Sequence, residues 1–481
     1  MSSLTNKTIS ATKWYASVSV AQQVIQYGIT ITLVRLLTPS DFGVMAIVTT
    51  FIGIVRMFQD IGLGSVIVQR KMVTSDFIDT VYWFSQALGL LFFIIFSSSA
   101  LFIANFYENE ILLPLIIVAS LGFLITPYYM IQSRLLEREL DLKILSIVSI
   151  LIGPLAGAVT IILAYNNWGV WSLVLGGLFG QLLYPIITCR FIKWHPHLNF
   201  KIGLLKSSIR FGANLSAAKM IGYVSQNSVF LIIGKILGSS QLGIYRVGAR
   251  LVFQPLLQIS AYLSKPLLAA YSKVQDDNVR LTKGYLMTVK YLVIIIVPAA
   301  TGIAIIAPEI VIGLLGQEWA DTIPIMRMLC IVGVFAVLIN TGTSICYAKG
   351  RADISLKWNI LSVSINIPVI IIVAKYGIDT VALLIAIISL PLFIIMQTWI
   401  NNLINLSWTK FLKTIVTPIL LTIFMAFLLY TMRIILIKNS YPILSILVIE
   451  IVTGIFCYTI LNLLFNREII KMAWKLVLNK T

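Results

Sequence analysis

Charge is what this sequence has least of. Of its 481 residues only 11% are Asp, Glu, Lys or Arg, against 59% hydrophobic. A water-soluble domain of that length has no core large enough to hide so much apolar surface, which excludes an ordinary globular enzyme. Acids number 18 against 36 bases, and there are 2 histidines. The four cysteines, Cys189, Cys330, Cys346 and Cys457, are scattered through apolar stretches without CxxC spacing, so they read as packing residues. His195 and His197 form an H-x-H with no third ligand nearby, between Lys193 and Lys201. That pattern is a solvated basic loop, and no metal site is expected. Gly-rich phosphate loops and paired external carboxylates are absent from the sequence, so neither an enzyme nor a cofactor is expected.

What is present is a series of long apolar runs. A bilayer-spanning helix needs roughly 20 apolar residues. Runs bounded by charged or Gly/Pro/Asn clusters predict about fourteen: 14–34, 43–68, 79–104, 111–131, 144–164, 168–189, 209–234, 243–268, 284–307, 323–347, 357–374, 380–401, 414–436 and 442–464. The fold class is therefore all-α, a polytopic membrane helix bundle. Lys7 and Lys13 precede the first run without a small-residue cleavage site, which reads as a retained helix. Basic residues set the orientation, because loops left on the cytoplasmic side retain them. With both termini inside, 25 of the 36 bases fall in eight inner segments. The outer connections hold only Arg35, Lys235, Lys375, Arg433 and Lys438. A net charge of +18 thus belongs to one membrane face and its anionic headgroups, not to a nucleic-acid partner.

The chain also repeats itself. Residues 33–44, LVRLLTPSDFGV, align with 233–244, IGKILGSSQLGI, pairing Arg35 with Lys235, Leu37 with Leu237 and Gly43 with Gly243; Gln26 and Gln226 share the register. Two six-helix lobes, 1–200 and 201–404, followed by a C-terminal pair at 405–481, are expected. Repeat-built bundles of this kind bind substrate between lobes and alternate access by rocking. Pro127, Pro154, Pro255, Pro298, Pro368 and Pro391 fall inside spans and permit bends. Trp168, Trp171, Trp194, Trp319 and Trp399 sit near span ends and read as interfacial residues.

The stretch from Leu36 to Arg70 carries a resemblance. Its opening Leu36, Leu37, Pro39, Asp41, Phe42 and Gly43 and its closing Gly62-Leu63-Gly64 resemble the N-terminal signature of the bacterial polysaccharide-transporter family. These are Wzx-type flippases of lipid-linked oligosaccharides, within the MATE-like multidrug/oligosaccharidyl-lipid/polysaccharide superfamily. The resemblance implies movement of undecaprenyl-pyrophosphate-linked repeat units from the inner to the outer leaflet of the bacterial cytoplasmic membrane. It also implies polymerase and export machinery as neighbours. An ion-coupled drug exporter of the same superfamily is the alternative, and a membrane polymerase or ligase ranks below both.

Charged residues inside spans are costly and should face a cavity or a partner. Arg56 and Asp60 stand four apart on one helix face, as a structural ion pair or as a phosphate-binding cation tuned by its acid. Lys219 is ten residues into its span, roughly 15 Å deep at 1.5 Å per residue. Arg246 and Arg250 share a face of the eighth span. Such cations offset pyrophosphate charge through charge-assisted hydrogen bonds. Gln26, Gln226 and Asn227, with Gln22, Gln23, Asn214, Gln254 and Gln258, supply polar walls that suit sugar hydroxyls or hold helices together. Glu450 is a lone acid in the last span, either paired, protonated in place, or a coupling group for H+ or Na+.

Overall fold

The computed structural model describes residues 18, 21–60, 62–70, 72–139, 141–192 and 194–465, with side chains at 60, 65, 69, 142, 206–221, 225 and 262–266 left aside. Every described element is helical. In order they are α1 (21–36), α2 (Pro39–Asp60), α3 (Leu63–Gln69), α4 (Ser75–Tyr107), α5 (Leu112–Ser120), α6 (Gly122–Arg138), α7 (Leu142–Tyr165) and α8 (Val170–Thr188). They continue with α9 (Lys206–Lys273), α10 (Asn278–Ile305), α11 (Thr322–Ala348), α12 (Ala352–Val373), α13 (Ile378–Ile404), α14 (Trp408–Lys438) and α15 (Ile443–Phe465). Among the described residues, 12 helices are long and apolar enough to cross a membrane. The protein is a multi-pass membrane protein.

Its packing is that of a protein dissolved in lipid. Large apolar side chains are exposed along mid-helix positions, among them Leu420, Ile423 and Phe427 of α14 and Val448, Val452 and Phe456 of α15. With no water in the bilayer core, polar groups must be satisfied internally. The hydroxyls of Thr50, Thr126, Thr160 and Thr422 do so by donating to the carbonyl four residues back, at 2.7–2.8 Å. At their other ends the helices are capped by sequence: Thr74, Asp141, Asp277 and Ser407 each accept a hydrogen bond from the first turn of α4, α7, α10 and α14.

Some expected spans are broken. The run 43–68 is two helices, because α2 ends at Asp60 and Gly62 takes a left-handed conformation (φ 66°) before α3 begins. The seventh and eighth runs are the two limbs of α9, joined at Gly238, whose φ of 83° and ψ of 175° interrupt the helix. Trp319, read as interfacial, is 1% exposed and inside the bundle. Trp194 donates through Nε1 to Asp79 at 3.0 Å and packs against Tyr82 and Tyr128. The basic loop after α8 is likewise tied down rather than merely solvated. Lys201 pairs with Asp76 at 2.5 Å, Asn199 donates to Asp76 at 2.7 Å, and Trp83 donates to the His197 carbonyl at 2.7 Å.

The chain divides into two compact units at Gly243–Ile244. In the first, α4 packs with α5 and α6, α7 with α8, and α2 with α4, α5 and α8. In the second, α11 packs with α13, α10 with α11 and α14, and α14 with α15. The internal repeat has a structural counterpart within the first unit. A methyl on Gly43 would collide with the Ser239 carbonyl, and a methyl on Gly243 would collide with the Pro39 carbonyl. Residues 39 and 239 are equivalent in the repeat, as are 43 and 243, so the contact is reciprocal. Ser40 and Ser239 close it with a 2.8 Å hydroxyl hydrogen bond.

Candidate functional site

A polar chamber of about 550 Å³ opens inside the first unit, walled by α2, α4, α6 and α8. Helix periodicity builds two of its walls. Thr126, Tyr129, Met130, Ser133, Arg134 and Glu137 recur at three- and four-residue steps along α6, and Gly177, Gly180, Gln181 and Tyr184 do so along α8. Arg56 and Gln59 enter from α2 and Ser85 from α4. The two tyrosines meet edge to face, with ring centroids 4.4 Å apart.

The walls are fixed by bonds at their backs. Gln59 Nε2 donates to the Phe123 carbonyl at 2.7 Å. That bond passes over Gly89, where an added methyl would lie 2.9 Å from Gln59 Nε2. Arg138 donates to the carbonyls of Ile67 and Arg70, at 2.7 and 2.6 Å, holding α3 against α6. Thr188 and Gln132 join α8 to α6 by a hydrogen bond. Gly177 has open space where a side chain would project, so the α8 wall is recessed there.

Toward the chamber, polar capacity is left over. Gln59 Oε1, Ser85 Oγ and Gln181 Oε1 are buried without hydrogen-bond partners among the described residues. Such groups are rare in folded proteins and mark a place for a ligand or solvent. Arg134 is paired with Glu137 at 2.6 Å. Arg56 has no ion-pair partner among the described residues. Its side chain is exposed although it sits in the chamber wall, so it faces the enclosed space. Two guanidiniums and one carboxylate leave the lining with one net positive charge. Amide, hydroxyl, phenol and guanidinium donors around one cation suit an oxygen-rich anionic ligand.

The other expected site residues are dispersed. The side chains of Lys219 and Asp60 lie outside the described residues, so the Arg56–Asp60 pair does too. Gln226 is exposed, Asn227 donates to the Tyr223 carbonyl at 2.8 Å, and the Gln26 carbonyl accepts from Thr30 at 2.8 Å. None of the three lines the chamber. Arg246 and Arg250 are half-buried in the second unit, where Arg250 Nε donates to Gln254 at 3.3 Å. Glu450 is fully buried on α15. Sequence reasoning missed Tyr129, Tyr184, Gln59, Gln181 and Ser85, although the α6 and α8 faces were present in the residue spacing.

A multi-pass helical bundle with a charged chamber among its spanning helices suits a membrane transporter. The profile of the family described as "Polysaccharide biosynthesis protein" matches residues 32–324, more than half of the chain. The chain belongs to that family. It is 27% identical over 470 residues to the teichuronic acid biosynthesis protein TuaB of Bacillus subtilis, covering 96% of both chains. It is 28% identical over 375 residues to the lipopolysaccharide biosynthesis protein WzxC of Escherichia coli, covering 77% of this chain and 76% of that one. Among solved structures, the lipid II flippase MurJ in an inward closed conformation aligns with a TM-score of 0.77 at 15% identity, over 95% of this chain and 99% of that one. An inward-facing multidrug MATE transporter aligns with a TM-score of 0.64 at 17% identity, over 79% and 94%. These likenesses establish a shared fold.

Proposed function

We propose that the protein is a flippase that carries undecaprenyl-pyrophosphate-linked oligosaccharide units from the inner to the outer leaflet for surface polysaccharide synthesis. The observation that carries this reading is the chamber around Arg56. Membership of the polysaccharide biosynthesis family supplies the substrate class, and the chamber supplies matching chemistry. The pyrophosphate is the part of such a substrate that hydrocarbon tolerates least, and Arg56 offers it a charge that nothing else among the described residues claims. Tyr129, Tyr184, Ser133, Gln59 and Gln181 offer donors and acceptors to sugar hydroxyls. A chamber that holds the polar headgroup while the alkyl chain stays in lipid removes most of the barrier to transfer, with no covalent change.

The one-sided distribution of lysine and arginine supports a cytoplasmic-membrane location with both termini inside. Lys219, Arg246 and Arg250 remain candidate substrate-binding cations, on the basis of their depth in their spans. The test is a strain lacking the protein. Repeat-unit lipid-linked intermediate should accumulate on the inner leaflet while surface polymer is lost. Unchanged surface glycan with raised drug sensitivity would replace this reading with the exporter, and single repeat units on the outer leaflet would replace it with the polymerase.

A further inference from the structure

The second unit contains a buried charge cluster that the flippase reading does not use. Glu309 follows α10 in a π-helical segment, Glu309–Leu315, which packs against α15. Its Oε1 accepts from Arg433 Nε of α14 at 2.9 Å, with side-chain exposures of 3% and 16%. The same guanidinium donates to the Ile305 carbonyl at 3.3 Å. On α15, which packs against both α14 and the π-helical segment, stands Glu450, 0% exposed and with no hydrogen-bond partner on either carboxyl oxygen among the described residues. Glu309 Oε2 likewise has no partner among the described residues.

Glu450 also forms part of the wall of a cavity of about 770 Å³ between α10, α14 and α15. The α10 residues there, between Ile294 and Ile303, and Ile306 just past its end include none that is ionisable; α14 contributes Met425 and Leu429. The groups that face Glu450 electrostatically are thus Glu309 from the π-helical segment and Arg433 from α14, with Tyr458 in the same wall on its own helix. Two carboxyls share one guanidinium, and that guanidinium is committed to Glu309. With both acids ionised the cluster carries a net negative charge in an apolar setting; with Glu450 neutral it carries none. An ion without a partner in such a place is the costlier form.

We infer that Glu309, Arg433 and Glu450 form a proton-exchange site, with Glu450 taking up and releasing the proton and Arg433 dividing itself between the two acids according to that proton. Proton loss from Glu450 would draw the Arg433 guanidinium toward α15 and away from the π-helical segment, so a chemical event is linked to the packing of α14 and α15. The inference is independent of what the protein transports.

Infrared difference spectroscopy on the purified full chain tests it without a transport assay. The carbonyl stretch of a protonated carboxylic acid should be present in the wild type, be missing in Glu450→Gln, and fade at lower pH in Glu309→Gln, where Arg433 is released to pair with Glu450. It should fade as pH is raised. Should Glu450→Gln fail to fold, Glu450→Asp identifies the same band by shifting it. A band that does not respond to pH would make Glu450 a permanently neutral packing residue and overturn the inference. So would its absence at all pH values, or its loss on adding sodium at constant pH, which would make the site a cation site.

Discussion

Removing the guanidinium of Arg433 and removing that of Arg56 should injure this protein in opposite ways. Arg433 is 16% exposed and bound to a Glu309 that is 3% exposed, so Arg433→Ala strands a buried carboxylate. Breaking a buried pair from one side costs about 3–5 kcal/mol, because the remaining charge loses its compensation. Arg56 has no ion-pair partner among the described residues and faces open chamber space. Its removal strands no described carboxylate and should change stability by about 0.5 kcal/mol or less. Transport should suffer instead: losing a hydrogen bond to a charged group forfeits about 1.5–3 kcal/mol, a roughly ten- to hundredfold loss in flipping rate. Denaturant unfolding of the purified variants, beside flipping of a lipid-linked oligosaccharide in vesicles, separates the two. A destabilised Arg56→Ala would show that Arg56 is structural. An Arg433→Ala protein as stable as wild type would show that the Glu309 charge is not held by this pair.

Gly43→Ala and Gly243→Ala should each destabilise by about 1–3 kcal/mol through overpacking, whereas Gly153→Ala, with nothing within 4 Å of the added methyl, should not. Because one separation of residues 39–43 from 239–243 relieves both collisions, the double variant should lose less than the sum, and full additivity in unfolding measurements would contradict a shared contact. Asp76→Ala, which removes the partner of Lys201 and Asn199, should expose the loop after α8 and speed tryptic cleavage at Lys201; an unchanged cleavage rate would rule out the latch. Lys235 donates to Glu108 at 2.8 Å and, by that bond first and its charge second, holds the Glu108 carboxyl below its ordinary range. A depressed carboxylate stabilises above its unfolded pKa and loses that contribution as pH falls through the folded one. The stability difference between wild type and Glu108→Gln should therefore be small, greatest near neutrality, and vanish on acidification, as unfolding midpoints against pH would report.

The helices were legible in the sequence because a lipid-facing span needs no period: Ser75–Tyr107 and Ile443–Phe465 are apolar on nearly every side. The breaks were less so. Gly62 and Gly238 end helices by adopting positive φ, yet glycines such as Gly153 and Gly177 sit in uninterrupted helix, and nothing local distinguishes them. The repeat was readable as an alignment, but the reason for Gly43 and Gly243 was not. It lies in each glycine's closeness to a backbone carbonyl about 200 residues away in sequence, at Ser239 for Gly43 and at Pro39 for Gly243.

For the site, counting charges was the weaker guide and periodicity the stronger. Arg56 was found because a guanidinium in a span is conspicuous. Tyr129, Ser133 and Glu137 on α6, and Gly177, Gln181 and Tyr184 on α8, were passed over because each is unremarkable alone. In a membrane their spacing is the signal: residues that lipid does not accept, recurring every three or four positions, must share a face turned toward protein or water. Two such faces, on helices that pack together, define a chamber before any coordinate is known. Partnership has no comparable signature. Glu309 and Arg433 are 124 residues apart, and neither span shows in its own sequence which acid the guanidinium will choose. It is this missing information, and not the weakness of the interaction, that left the pairing, protonation and coupling readings of Glu450 all open from sequence alone.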